Sequence, residues 1–167
     1  MAGLPNQIKA IVENLPLEDL ILPLLRVELP GINVQSLISA TQTFPLVLPR
    51  RMPGFGKVDA DPRFTDSAHM VVHTFCEDPN GDEDAGLLAE AVRVVLRNAW
   101  MNQTVLTGGG HITRWEMTSA PRRVTDWATA TGPVQYADLP TGVWRYETQY
   151  QIEVRTPRSR PYPIPTP

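Results

Sequence analysis

Three stretches of the chain carry residue types that could do chemistry. His69, His73 and Cys76 lie within eight residues of one another and are the donor types that zinc prefers. Spacing decides against a shared metal ion. Four residues place two histidines on one side of a helix, but in a strand they are two full pleats, about 13 Å apart. The surrounding run AHMVVHTFCED is rich in β-branched and aromatic residues and reads as a strand. On that strand His73 and Cys76 point to opposite faces, so the imidazole cannot serve as base to the thiol. Cys76 reads as an inert, half-buried thiol.

The second stretch, DPNGDED, alternates Asp78, Asn80, Asp82 and Asp84 and invites a calcium loop. Counted from Asp78, the glycine and bidentate glutamate positions of such a loop hold Glu83 and Ala89, so the match fails. A turn followed by a helix cap accounts for these residues. The third, TGGGH, lacks the Lys-Ser/Thr of a phosphate loop and leads into a strand, so no helix terminus backs its amides. Ser67 and Ser119 have no motif around them. No catalytic, cofactor-binding or metal-binding residue is assigned, no cofactor is expected, and the chain is not expected to be an enzyme.

Those stretches sit in a chain of 167 residues, 42% hydrophobic and 20% charged, which suits one globular domain. A net charge of −3 argues against a role built on neutralising phosphates, although passive contact with DNA stays open. One cysteine fits a reducing compartment, and no run is long and apolar enough to span a membrane. The 17 prolines require much of the chain to be loop or extended arm.

Residues 5–28 read as an N-terminal helical region, broken at NLP, restarted near Leu17 with Glu18 and Asp19 at the positive end of its dipole, and kinked or restarted at Pro23. INVQSLISA and TFPLVLPRRMPG follow as two extended runs, pairing as a hairpin or as neighbours. The run around Val71 to Phe75 is apolar on both parities, which marks a central strand. The clearest helix spans about 82–101, capped by Asp82 or Asp84. Its inward stripe is Leu88, Ala91, Val92, Val95 and Ala99, and its outward one is Glu90, Arg93 and Arg97.

The last strand, GVWRYETQYQIEVR, alternates strictly. Trp144, Tyr146, Thr148, Tyr150, Ile152 and Val154 share a buried parity; Arg145, Glu147, Gln149, Gln151, Glu153 and Arg155 share a wet one. Helix, strands, helix, strands predicts an α+β fold: a mostly antiparallel sheet with the long helix packed on one face. The expected organisation is a single domain over 1–156 with extended loops at 49–67 and 120–141. A proline-rich arm at 157–167 should sample polyproline II.

The succession LEDLILPLLRVELPGINVQ, FPLVLPRRMPG, HTFCED, DAGLLAEAVRVVLRNAW and WRYETQYQIEVR, covering about residues 15–156, resembles the tail terminator, or tail-completion, proteins of long-tailed, non-contractile bacteriophages, notably actinobacterial siphoviruses. The resemblance lies in element order and texture. It implies a small α+β protomer in a hexameric ring on the head-proximal end of the tail tube. There it would stop tube polymerisation and meet the neck of the head.

On that reading the protein is made in the host cytoplasm and resides in the virion. Its partners are copies of itself, the tail tube protein and a neck or head-closure protein, with DNA passing through the channel. Candidate interface residues are the loop pairs Arg50, Arg51 and Arg122, Arg123, with Trp127, the wet-face residues Arg145, Glu147, Glu153 and Arg155, and Tyr162 of the arm. Two other readings stand beside it: a neck connector between portal and tail, and a small ligand-binding or hydrolytic α+β domain. The second would show a concave pocket with convergent polar groups.

Overall fold

Thr65–Glu77 forms the middle of the sheet because its apolar side chains fall on both parities, and only a central strand can bury both. A computed structural model of the chain describes residues 5–9, 15–37, 42–52, 65–107, 109–124 and 142–155. In chain order the elements are α1 (Asn6–Lys9), α2 (Leu17–Glu28), β1 (Asn33–Val34), β2 (Leu46–Arg51), β3 (Thr65–Glu77), α3 (Gly81–Met101), β4 (His111–Arg123) and β5 (Val143–Arg155). The strands make one sheet in the order β1-β2-β3-β5-β4. Only β1 and β2 run parallel; the other pairs are antiparallel. The fold is α+β, as the element order predicts.

Helices α2 and α3 lie on one face of this sheet. The leucines of α2, Val47 of β2, Met70 and Val72 of β3, Tyr150, Ile152 and Val154 of β5, and Leu88, Val92 and Leu96 of α3 form one buried cluster. Thr74 donates from its hydroxyl to the Ala85 carbonyl at 2.8 Å, tying α3 to β3. Trp100 stacks on Trp115 and donates its indole N–H to the Thr113 carbonyl at 3.2 Å, tying the far end of α3 to β4. On the opposite face Leu46, Leu48 and Phe75 form a second, smaller cluster, with no described helix over it.

Several boundaries differ from the sequence reading. The stretch expected as a loop over 49–67 is strand at both described ends, because β2 reaches Arg51 and β3 begins at Thr65. Pro49 is tolerated in β2 because beyond Val47 that strand has β3 as its sole described neighbour. Likewise 120–123, expected as loop, continues β4. Pro121 fits there because β4 is an edge strand whose register to β5 shifts between Ser119 and Arg122. The rest of both expected loops, and the arm at 157–167, lie outside the described residues.

The two early extended runs pair as parallel neighbours and not as a hairpin. Helix α2 continues through Pro23, since burial of Leu17, Leu20, Ile21, Leu22 and Leu25 outweighs one lost backbone hydrogen bond. Its first N–H is satisfied from the sheet: Leu17 donates to the Asp66 carboxylate at 3.2 Å. The cap expected of Asp82 or Asp84 is not made. Asn80 occupies the N-cap position of α3 without a side-chain hydrogen bond, and both aspartates fall inside the helix.

Candidate functional site

The alternation of β5 sends Arg145, Glu147 and Gln149 to the face without helices, and the register of the sheet places them beside β3 and β4. His73 is the cross-strand partner of Glu147 from β3, and Arg122 is its partner from β4. Arg122 donates to Glu147 Oε1 at 2.9 Å, and the Gln149 side-chain amide donates to the same oxygen at 3.1 Å. Glu147 is 0% exposed, His73 2% and Arg145 6%. The parity expected to be wet is therefore dry along its first half. A carboxylate survives there because a guanidinium and an amide replace the water it loses.

His73 faces Glu147 at 3.9 Å, with Arg145, Arg50 and Arg122 also acting on it. Burial dominates and lowers its pKa from 6.5 to about 4, so the imidazole is neutral at pH 7. A neutral histidine against a carboxylate has the look of an acid–base pair. With both groups almost fully enclosed, however, no substrate atom can reach them, and the cluster acts as a strut across three strands.

The adjacent arginines of each basic pair part company, because in a strand neighbouring side chains leave by opposite faces. Arg122 goes to Glu147 on the helix-free face. Arg123 goes to the helix side, where it meets Asp82 at 3.3 Å and lies over the Trp144 ring at 4.1 Å. Arg51 likewise turns to the helix side and binds Asp66 at 2.5 Å and Glu18 at 3.4 Å, joining β2, β3 and α2. Arg50 acts on His73 across the other face. Arg51, Arg122 and Arg123, expected at contacts between proteins, thus have charged partners within their own chain.

Glu153 accepts from the Thr113 hydroxyl at 3.3 Å, and Arg155 is exposed at the end of β5. Trp127 and Tyr162 lie outside the described residues. Sequence reasoning missed Glu18, Asp66 and His73 as ion-pair and cluster members. Their only signal was charge near a strand, and register, which is not written in local sequence, chose the partners.

The acidic turn serves to close the sheet end. Asp78 accepts from the Trp144 indole at 2.6 Å, and its backbone N–H donates to the Gly142 carbonyl at 3.0 Å. Gly142 has φ +88°, and a Cβ there would come within 2.9 Å of the Asp78 carboxylate, so glycine is required. His69 contacts the Thr118 hydroxyl at 2.9 Å. Among the described residues no three His, Cys, Asp or Glu side chains converge to hold a metal ion, and no helix is long and apolar enough to cross a membrane.

One cleft of about 390 Å³ opens between the segments leading into β1 and β2, the end of β3 and the start of α3. Ile32, Phe44, Pro45 and Leu88 supply apolar walls, and Cys76, Glu77 and Asp84 supply polar atoms. Burial, with Asp84 nearby, pushes the Cys76 thiol up to about 11, so it stays protonated and weakly nucleophilic. With these apolar walls and two carboxylates, the cleft suits an apolar or cationic group. No protein-family model and no curated protein matches the chain.

Proposed function

We propose that this chain is a structural virion protein, a tail terminator that forms a ring on the head-proximal end of a phage tail tube and joins the tail to the head. The observation that carries the reading is the succession of elements. A leucine-rich helix, a proline-flanked basic strand, a central strand, a long helix over the sheet and a closing Arg/Tyr strand follow one another as the resemblance requires. The sheet also offers what a ring needs. Strand β4 is an edge strand of 13 residues, mostly exposed, while the other edge is the two-residue β1. Ring closure takes two unlike surfaces per protomer, and a long open edge is a natural one of them.

The internal use of Arg122, Arg145 and Glu147 shifts the proposed contact band outward. It runs along Arg114 and Glu116 of β4 with Glu153 and Arg155 at the adjoining end of β5, where charge is exposed or half-exposed. Electron microscopy of particles from a phage with a stop codon early in this gene tests the assignment. Over-long tail tubes unattached to DNA-filled heads are expected. Free tails of normal length would move the protein to the neck, and intact infectious particles would overturn a structural role.

A further inference from the structure

We propose that the outward face of α3 is a self-association surface, on which a second copy of this chain docks its own α3 antiparallel about a two-fold axis. The inward stripe of α3 satisfies its own core with Ala85, Leu88, Val92, Leu96 and Ala99. A second apolar stripe then remains on the solvent side. Leu87 is 60% exposed, Val94 38% and Met101 59%, and they recur every seven residues. Seven residues are close to two helical turns, so the three side chains stand nearly in line. Solvent-facing positions of a helix at this spacing ordinarily carry charge, and an aligned apolar row along three or more turns marks a contact.

The flanking charges identify the occupant. Glu83 and Glu90 lie on the N-terminal half of the exposed face, and Arg97 on the C-terminal half. Arg97 has no ion-pair partner among the described residues, and Glu90 is held by Arg93 one turn away on its own helix. A parallel copy would set Glu90 against Glu90 and Arg97 against Arg97. An antiparallel copy centred on Val94 sets Leu87 against the second copy's Met101, Val94 against its own counterpart, and Glu90 beside Arg97 twice over. The stripe is thus its own complement, which is the property an isologous contact demands. The surface is separate from the β4 edge, so this inference stands whether or not the chain acts in a phage tail.

Cysteine cross-linking of the purified full chain reads the geometry directly, with unmodified protein as the control for buried Cys76. Under mild oxidation Val94→Cys is expected to run as a covalent dimer. Leu87→Cys alone is expected not to, because antiparallel pairing holds the two copies of residue 87 about 21 Å apart along the axis. Leu87→Cys with Met101→Cys should cross-link again. Sedimentation reads the chemistry: Glu90→Arg or Arg97→Glu should weaken the dimer about tenfold, because each acts at two symmetry-related pairs. The double exchange should restore it. A monomeric parent chain, an association state untouched by Val94→Glu, cross-linking of Leu87→Cys as readily as Val94→Cys, or a double exchange no better than the singles would each overturn the proposal.

Discussion

The two faces of the sheet are held by different physics. On the helix side, α2 and α3 lay aliphatic side chains over β2, β3, β5 and β4, with the Thr74 hydroxyl and the Trp100 indole donating to backbone carbonyls and with partly exposed ion pairs at the rim. On the other face a patch of Leu46, Leu48 and Phe75 gives way to a buried cluster of Glu147, His73 and Arg145, which the exposed Arg122 reaches from β4. The first face draws on area removed from water, which hardly notices pH or salt. The second depends on charges that must all be matched, because an unmatched one in a dry place is expensive. Acid and charge-removing substitutions should therefore attack one face and steric ones the other.

The sharpest way to break that contrast is Glu147→Ala, which removes the buried carboxylate that Arg122 and Gln149 bind and that His73 faces. A loss of about 4 kcal/mol is expected from urea unfolding. A loss under about 1 kcal/mol would mean the cluster is wet, and the distinction between the faces would fail.

Acid should act through His73. Its folded pKa lies near 4, below the ordinary 6.5, so as pH falls the unfolded chain takes up the proton first. Stability from this group is whole above pH 6.5 and drains away down to about pH 4, on the order of 3 kcal/mol in all. Thermal melts across that window should show the slope in the parent chain and a reduced slope in His73→Gln.

Steric change tests the helix side. Gly81→Ala would press a methyl group against the Trp144 ring and within 2.9 Å of the Cys76 carbonyl. It should cost about 2 kcal/mol, independent of pH. The smallest effect belongs to Arg51→Ala. Its pairs with Asp66 and Glu18 are partly exposed, so about 1 kcal/mol, shrinking with added salt, is expected from the same melts.

How much of this was legible in the sequence follows from the range of each signal. The period of α3 and the alternation of β5 are local, and the fold class could be read from them. The charge cluster could not be read, because Glu147 becomes buried only when the register sets it between His73 and Arg122. The arginine pairs misled for a related reason. Flanking prolines made Arg50-Arg51 and Arg122-Arg123 look like loop, yet both pairs lie in strands, where alternation divides each between two faces. The edge position of β4 explains how Pro121 fits, but an edge is a property of sheet order. The outward stripe of α3 was visible at Leu87, Val94 and Met101. Glu90, Arg93 and Arg97 on the same side of the helix mask it, because they alone suffice to explain a wet face.

The central claim, a ring subunit at the head–tail junction, is tested most directly by cryo-electron microscopy of the intact particle with density assigned to this chain. The account predicts a ring of copies on the head-proximal end of the tail tube, with β4 at the boundary between neighbours. Absence of the chain from purified particles, or its density elsewhere on the tail, would contradict it.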